Sequence, residues 1–199
     1  MIYCATGNPG KLREFRLAAE HFGVEIEVLP GMERIPWCDE AGCTFQQNAI
    51  LKAKYYGRRA PGLLFADDSG LEVEALEGAP GVVSARYAGP GATDAMNNAL
   101  LLGNLRGRQN RRARFVCVIA LADQGELVRT FRGMVEGEIL EAPRGAGGFG
   151  YDPLFYYPHY GRSLAEVSAE EKLVVSHRGK ALTALFRYLS DQPRRSRTR

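Results

Sequence analysis

Short apolar runs and helical periodicity alternate over the first part of the chain. Residues 1–6 are apolar enough for a buried strand, and from residue 11 to about 22 apolar side chains recur at spacings of three and four, which predicts a helix. Between them lies Gly7-Asn8-Pro9-Gly10, a turn dense in residues that interrupt regular structure. A strand, a tight loop and a helix in this order favour a bound phosphate beside the loop N–H groups and the helix N-terminus.

The alternation continues to the middle of the chain. Further predicted elements are a half-exposed strand at residues 24–29, a helix from about 45 to 58 capped by Thr44, a buried strand at 63–66 and a helix capped by Thr93 that extends to about 105. Residues 77–89 contain too much Gly and Pro for a regular element. The first half of the chain therefore indicates helices packed on strands.

The second half predicts an antiparallel pair. Residues 113–122 form a strongly apolar strand, and the turn Asp123-Gln124-Gly125 leads to a partner strand at 127–139. A glycine-rich loop at 145–153, an acidic segment around 166–172 and a final helix from about 178 to 189 follow. We expect an α/β fold with a mixed sheet flanked by helices.

Length and composition indicate one domain. The 199 residues, 45% of them hydrophobic, are enough for a single core, which we assign to residues 1–191. Residues 192–199 form a basic tail without an apolar anchor, and we expect it to be disordered. Without the four arginines of this tail the net charge falls from +3 to −1, so the body lacks the basic signature of a nucleic-acid-binding protein.

The lengths of the apolar runs and the spacing of the cysteines indicate the cellular compartment. The chain has no apolar run of about 18 residues, and its first residues lack the pattern of a signal peptide. The cysteines Cys4, Cys38, Cys43 and Cys117 do not have the CxxC spacing of a zinc or redox site, so we expect reduced thiols. A soluble cytoplasmic protein is the simplest expectation.

Two adjacent carboxylates, Asp67 and Asp68, follow the predicted strand at 63–66 and precede Ser69 and Gly70. Side chains alternate along a strand, so the two carboxylates should point to opposite sides, and one is free to face a cleft. Because adjacent carboxylates repel, one of them requires a cation. An Asp-rich turn ending at Gly70 is the structural alternative.

The first loop is similar to a phosphate loop of the Walker type but does not match it. Only two residues separate Gly7 from the Gly10-Lys11 pair, and Leu12 follows where that motif has Ser or Thr. The physical elements, a short loop, a helix N-terminus and a lysine, are nevertheless present.

The loop from Gly145 to Gly150 satisfies the GxGxxG pattern of dinucleotide-binding proteins in a wrong context. Tyr151-Asp152-Pro153 follows where that motif begins a helix. Glycines that allow close approach, with Phe149 and Tyr151 available for stacking, indicate a flat ligand instead. A flexible surface loop is the alternative.

A basic segment, Ser176-His177-Arg178, begins the last predicted helix. One Ser beside one His does not define a Ser-His-Asp triad. His177 and Arg178 are hydrogen-bond donors suited to a purine carbonyl or a phosphate. Cations at a helix start oppose the dipole, so we favour a nearby anion or acceptor over a solvated basic N-terminus.

Six motifs together resemble the family of inosine/xanthosine triphosphate pyrophosphatases. The chain is similar to that family from residue 2 to about 189. The motifs, in order, are Thr6-Gly7-Asn8-Pro9-Gly10-Lys11, Asp67-Asp68-Ser69-Gly70-Leu71, Gly78-Ala79-Pro80-Gly81 with Ser84-Ala85-Arg86-Tyr87, Gly147-Gly148-Phe149-Gly150-Tyr151-Asp152-Pro153, Glu170-Glu171-Lys172 and Ser176-His177-Arg178-Gly179.

This resemblance implies an elongated mixed α/β fold with a deep cleft between two lobes, and a homodimer. It also implies Mg²⁺-dependent hydrolysis of the non-standard purine triphosphates ITP, dITP and XTP to the monophosphate and pyrophosphate. Such an activity removes deaminated purines from the nucleotide pool. A pyrophosphatase for other modified nucleotides and a non-catalytic nucleotide- or RNA-binding module that uses the arginine-rich tail are the alternatives.

The resemblance also implies roles for individual residues. Asp68 would be a metal ligand and the proton acceptor that activates water, and Ser69 would contact substrate. Either Asp39 or Glu40 would supply a second metal ligand, because Asp39-Glu40 stands where the family has a pair of glutamates. The triphosphate would be held by Thr6, Gly7, Asn8, Pro9, Gly10 and Lys11, and the base would be stacked, oriented and read by Phe149, Gly150, Tyr151, Asp152, Lys172, His177 and Arg178.

Overall fold

The structure, a computed structural model, describes residues 1–192 of the chain. Residues 193–199, nearly all of the expected tail, lie outside the described residues. The strands are β1 Ile2–Cys4, β2 Ile26–Val28, β3 Leu64–Val73, β4 Arg112–Asp123, β5 Glu126–Ile139, β6 Phe155–Tyr157 and β7 Arg162–Ser163. The α-helices are α1 Pro9–His21, α2 Phe45–Gly57, α3 Asp94–Asn104, α4 Ala169–Val175 and α5 His177–Asp191.

The seven strands form one mixed sheet in the order β2-β1-β3-β4-β5-β6-β7. β1 runs parallel to β2 and β3, and all the later neighbours are antiparallel. The mixed sheet flanked by helices is therefore confirmed, as is the antiparallel pair of the second half. α1 and α5 pack on one face of the sheet, and α2 packs on the other.

Side-chain caps explain where the helices begin. Asn8 starts α1 by accepting the Lys11 N–H at 3.0 Å, and Pro9 follows at the first helical position, where a missing N–H costs nothing. The predicted caps Thr44 and Thr93 are confirmed, because each accepts a backbone N–H of its own first turn. Ser176 caps α5 in the same way.

Two local expectations were wrong, the end of the strand at 63–66 and the alternative of an Asp-rich turn. The strand expected at residues 63–66 extends as β3 to Val73, so Asp67 and Asp68 lie within a strand and the turn interpretation does not hold. The strand continues because Asp67 and Asp68 pair in register with Ile119 and Val118 of β4, and both carboxylates find buried cations. The acidic segment around 166–172 forms the short helix α4. The strands β6 and β7 were not predicted, because these short segments show no periodic pattern of apolar residues in the sequence.

The core is divided along β3. Residues before Asp67, such as Phe65 and Ala66, pack into two apolar clusters on the opposite faces of the sheet. Residues after Gly70, such as Leu71, pack into a third cluster with α3 and the β5–β6 end of the sheet. The polar stretch of β3 therefore lies between two apolar lobes.

A cleft lies beside the polar stretch of β3 because β1 is short. β1 pairs with β3 only at Leu64 and Phe65, and among the described strands none continues along that edge beside Asp67 to Gly70. The chain leaves β1 and turns through the first loop into α1 at this point. The carboxyl end of β1 and the edge of β3 that β1 leaves unpaired therefore form one wall of the cleft.

Two further expectations concern compartment and thiols. Within residues 1–192, no helix combines the length and the hydropathy needed to cross a membrane. The four cysteines are free thiols, of which Cys4 and Cys117 are buried.

Candidate active site

A cavity of about 490 Å³ occupies the cleft. It is lined by all the site residues expected from the sequence except Gly10 and Asp39. Their roles stay predictions, but the fold does gather segments that are as far apart in sequence as Thr6 and Arg178.

The first loop supplies one end of the cavity. Thr6 Oγ1 accepts the Asn8 N–H at 3.2 Å, which fixes the turn in front of the α1 N-terminus. Gly10 faces away from the open space, because a Cβ at Gly10 would lie 2.6 Å from the Phe149 ring. Gly10 is thus required for the packing of Phe149 and does not line the cavity.

Buried Asp67 contacts two cations and a hydroxyl. Lys11 Nζ lies 2.9 Å from Asp67 Oδ2, Arg178 Nε lies 3.6 Å from the same oxygen, and Ser69 donates its hydroxyl to it at 3.1 Å. Burial alone would raise the pKa of Asp67, but Lys11, Arg178 and Lys52 outweigh it and hold the pKa well below its ordinary value. Asp67 is therefore ionised and committed to neighbouring cations.

Asp68 points to the opposite face, as strand alternation predicts. Lys52 of α2 donates to Asp68 Oδ1 at 2.8 Å, and Asn48 donates to Asp68 Oδ2 at 3.3 Å. Burial raises the pKa of Asp68 although the Lys52 charge opposes it, whereas Asp68, Asp67 and Glu40 raise the pKa of Lys52 against its burial. Asp68 is thus the carboxylate of the pair with the stronger proton affinity.

The geometry separates Asp39 from Glu40. Glu40 lines the cavity, and its Oε2 accepts from Lys52 Nζ at 3.2 Å, while Asp39 is exposed and outside the lining. Within residues 1–192, no three His, Cys, Asp or Glu side chains are already gathered as a metal site. Two carboxylates, Glu40 and Asp68, nevertheless converge on Lys52, and carboxylate oxygens are the donors that a hard divalent cation prefers. The residues fit a cation that completes its coordination with substrate oxygens and water.

A buried ion-pair network lines the cavity next to the first loop, against which Phe149 packs at Gly10. Lys172 contacts Asp152 and lies 2.6 Å from Glu14 Oε1, while Arg178 lies 2.5 Å from Glu14 Oε2. Both cations also lie over the Phe149 ring, at 4.8 Å and 5.4 Å from its centroid. The anion expected near the start of α5 is Glu14, so Arg178 is not a solvated basic residue.

His177 is a neutral imidazole beside this network. Its ring stacks on Phe115 with 4.7 Å between centroids, and burial, followed by Arg178 and Lys172, lowers its pKa well below the ordinary value. His177 Nδ1 is buried without a hydrogen-bond partner among the described residues. This residue of the cavity lining therefore has an unused hydrogen-bonding position.

The glycine-rich loop is fixed from outside. The Gly150 N–H donates to Asp94 Oδ2 at 2.7 Å, and Asn98 Nδ2 donates to the Gly150 carbonyl at 3.0 Å. The Tyr151 hydroxyl donates to the Ser84 carbonyl at 2.7 Å. These hydrogen bonds favour a fixed loop end over the flexible-loop alternative, because α3 holds both backbone groups of Gly150 and so positions Phe149.

Sequence reasoning missed Lys52, Glu14 and Asn48. A usable signal existed for two of them. Lys52 lies three residues after Ala49, on the apolar side of α2, where a charge requires a partner. Glu14 lies three residues after Lys11, on the same side of α1.

Comparison with known proteins places this geometry in a family. The sequence profile of the Ham1 family matches residues 2–188. The chain belongs to the Ham1 family. Two of its relatives, from Acidobacterium capsulatum and an Exiguobacterium species, are named dITP/XTP pyrophosphatase. The Acidobacterium protein is 49% identical over 93% of this chain and 96% of its own length. The Exiguobacterium protein is 50% identical over 92% of this chain and 94% of its own length.

The fold of this Ham1 chain is also that of solved relatives. A HAM1 protein from Coxiella burnetii superposes with a TM-score of 0.86 at 41% identity, covering 96% of this chain and 98% of its own. The Staphylococcus aureus Ham1 protein gives 0.84 at 39% identity, covering 95% and 97%. The family resemblance inferred from six short motifs is confirmed.

Proposed function

We propose that this Ham1 chain is a nucleoside triphosphate pyrophosphatase that hydrolyses ITP, dITP and XTP to the monophosphate and pyrophosphate. The observation that carries the proposal is the placement of Asp68, a carboxylate with a raised pKa, in the same cavity that the first loop and the Phe149 network line. Relatives named dITP/XTP pyrophosphatase, about half identical over nearly their full length, support the same reaction.

The chemistry follows from charge and position. A triphosphate carries about four negative charges, which the first-loop N–H groups, Lys11 and Lys52 would partly neutralise. Asp68 would accept a proton from water as that water attacks the α-phosphorus, and the bond to the bridging oxygen of pyrophosphate would break. A carboxylate of raised pKa is a stronger base than an ordinary one at neutral pH, which suits it to this role.

Asp68 and Glu40 would hold a divalent cation, which we propose to be Mg²⁺. The bound ion would neutralise phosphate charge and increase the acidity of the attacking water. Glu40 is favoured over Asp39 because Glu40 alone of the two reaches the cavity.

The ion-pair network around Phe149 accounts for selectivity against adenine. Hypoxanthine and xanthine carry a 6-keto acceptor where adenine carries an amino donor, so the cationic donors Lys172 and Arg178 would favour the keto bases. Neutral His177 offers an unpaired ring nitrogen to the same ligand. Phe149 would stack on the base.

We further propose that residues 1–191 form one catalytic domain that acts as a homodimer in the cytoplasm, where it removes deaminated purines from the nucleotide pool. Large apolar side chains exposed on α3, Met96 at 51% and Leu100 at 37%, are consistent with an association surface. Size-exclusion chromatography with light scattering tests the dimer.

The deciding experiment offers ITP, XTP, dITP, GTP and ATP to the purified protein with Mg²⁺ and measures pyrophosphate and phosphate separately. Pyrophosphate from the first three, with much slower release from GTP and ATP, is the expected result. No pyrophosphate from any of them would indicate a non-catalytic nucleotide-binding module. Equal rates on GTP and ITP would contradict a role in removing deaminated purines.

A further inference from the structure

Trp37 has an unusual position. It is the single tryptophan of the chain, and it is 80% exposed although it belongs to the lining of the active-site cavity. Leaving a large aromatic ring in water forgoes the free energy of its burial. An exposed indole at the rim of a binding cavity is therefore a surface that a ligand can cover.

The backbone on either side of Trp37 is held in place. The Tyr55 hydroxyl donates to the Pro36 carbonyl at 3.0 Å, and the Cys38 N–H donates to the Tyr56 hydroxyl at 3.2 Å. Both tyrosines belong to α2, the helix that also carries Lys52. The backbone that carries the indole is thus hydrogen-bonded to α2, the same helix that places Lys52 beside Asp68.

The ring lies beside the first loop. A Cβ built on Gly7 would lie 3.3 Å from Trp37 Cη2, so the ring edge rests over the first loop. Phe149 packs against Gly10 at the other end of the same loop. The loop is therefore flanked by two aromatic rings, and Trp37 is the one near the end of the loop that follows β1.

We propose that Trp37 is a substrate-binding residue for the pyrophosphate part of the triphosphate. The phosphates that leave as pyrophosphate lie on the first loop beside the indole, so the ligand covers the exposed face of the ring and the ring excludes water from the ligand. Fewer waters around the phosphates strengthen their attraction to Lys11 and Lys52, because the local dielectric constant falls. The inference rests on the proposed triphosphate cleavage.

The indole itself provides the first test. Emission of the wild-type protein is recorded during titration with pyrophosphate, with inosine monophosphate and with inosine, each in the presence of Mg²⁺. Pyrophosphate is expected to shift the emission to shorter wavelength, and inosine is expected to leave it unchanged. If pyrophosphate inhibits the enzyme competitively but leaves the emission unchanged at saturation, the inference is wrong.

Kinetics of Trp37→Ala provide the second test. The KM for ITP and the inhibition constant of pyrophosphate should rise together by about tenfold, the scale of partly covering one aromatic side chain, while inhibition by inosine monophosphate stays unchanged. Val174→Ala removes another strongly exposed apolar side chain, 73% exposed and outside the cavity lining, and serves as the matched control. An unchanged pyrophosphate constant in Trp37→Ala overturns the inference, as does an equal rise in the monophosphate constant.

The two proposals fail separately. Wild-type protein that releases no pyrophosphate from ITP contradicts the proposed function. Wild-type protein that releases it, with a Trp37→Ala variant indistinguishable from wild type, contradicts only the role of Trp37.

Discussion

Lys52 Nζ lies 2.8 Å from Asp68 Oδ1 and is shared with Glu40 at 3.2 Å. A single buried ammonium therefore joins the two carboxylates that point into the cleft from β3 and from the segment before α2. Like charges so close together repel unless a cation lies between them. Lys52 is the cation between Asp68 and Glu40. Asp67 differs from Asp68 because its own cations are Lys11 and Arg178.

Asp68→Asn should keep the fold and lose at least about a hundredfold in kcat with ITP, the scale of losing a general base. The amide cannot accept the proton of the attacking water. Steady-state pyrophosphate release measures the effect, and thermal unfolding checks the fold. Asp191→Asn, at an exposed carboxylate that ends α5, is the control and should behave like wild type. Near-normal turnover by Asp68→Asn would exclude Asp68 as the base.

Glu40→Gln should raise the Mg²⁺ concentration needed for half-maximal activity by at least about tenfold, because one charged oxygen ligand is replaced by a neutral one. Asp39→Asn makes the same chemical change one residue earlier, at a side chain outside the cavity lining, and should leave the Mg²⁺ dependence unchanged. Titration of activity with Mg²⁺ at saturating ITP compares the two variants. The reverse result would assign the ligand to Asp39.

Lys172→Gln should lower the preference for ITP over ATP by about a hundredfold, since recognition of the keto group loses its cationic donor. The ratio of kcat/KM for the two substrates is the measurement. Lys180→Gln changes an exposed lysine on α5 that donates to the Met134 carbonyl outside the cavity, and it should preserve the ratio. A folded Lys172→Gln enzyme with unchanged selectivity would show that other groups read the base.

Asp67→Asn should destabilise the protein by about 3 kcal/mol at neutral pH, because Lys11 and Arg178 lose their buried anion. The folded-state pKa of Asp67 lies below its unfolded value, so its contribution is present above the ordinary carboxyl pKa and is lost as pH falls toward the folded value. Urea unfolding at about pH 7 and about pH 3 should therefore show a smaller difference between variant and wild type in acid. A difference independent of pH would mean that packing, and not charge, stabilises this site.

Removal of residues 193–199 should leave kcat/KM for ITP within about twofold of wild type, as expected for a terminal segment without an apolar anchor. The truncated and full-length proteins are compared in the same pyrophosphate assay. A large loss would show that the basic segment takes part in the site.

Several features could be predicted from the sequence because they depend on neighbouring residues. The strand, loop and helix around Asn8 follow from turn residues, a cap and a helical apolar period, all within about 20 residues. Thr44 and Thr93 identify helix starts for the same reason. Nearly all the site residues predicted from the family resemblance line one cavity, because the order of the six motifs reflects a shared fold.

The long-range partners of the site residues could not be predicted in this way. Arg178 meets Glu14 across 164 residues, and Asn98 meets Gly150 across 52, so no local period connects them. The length of β3 was also underestimated, because Asp and Ser favour turns in isolation while buried cations and pairing with β4 keep them extended here.

The sequence by itself determined the alternation of helices and strands, the caps and the sites where chemistry is concentrated, because these follow from propensity and spacing along the chain. Only the tertiary structure decided that Asp67 is committed to Lys11 and Arg178 while Asp68 is joined to Glu40 through Lys52. The physical reason is that burial makes an unpaired charge costly, so the role of each carboxylate is set by the cation that folding brings to it.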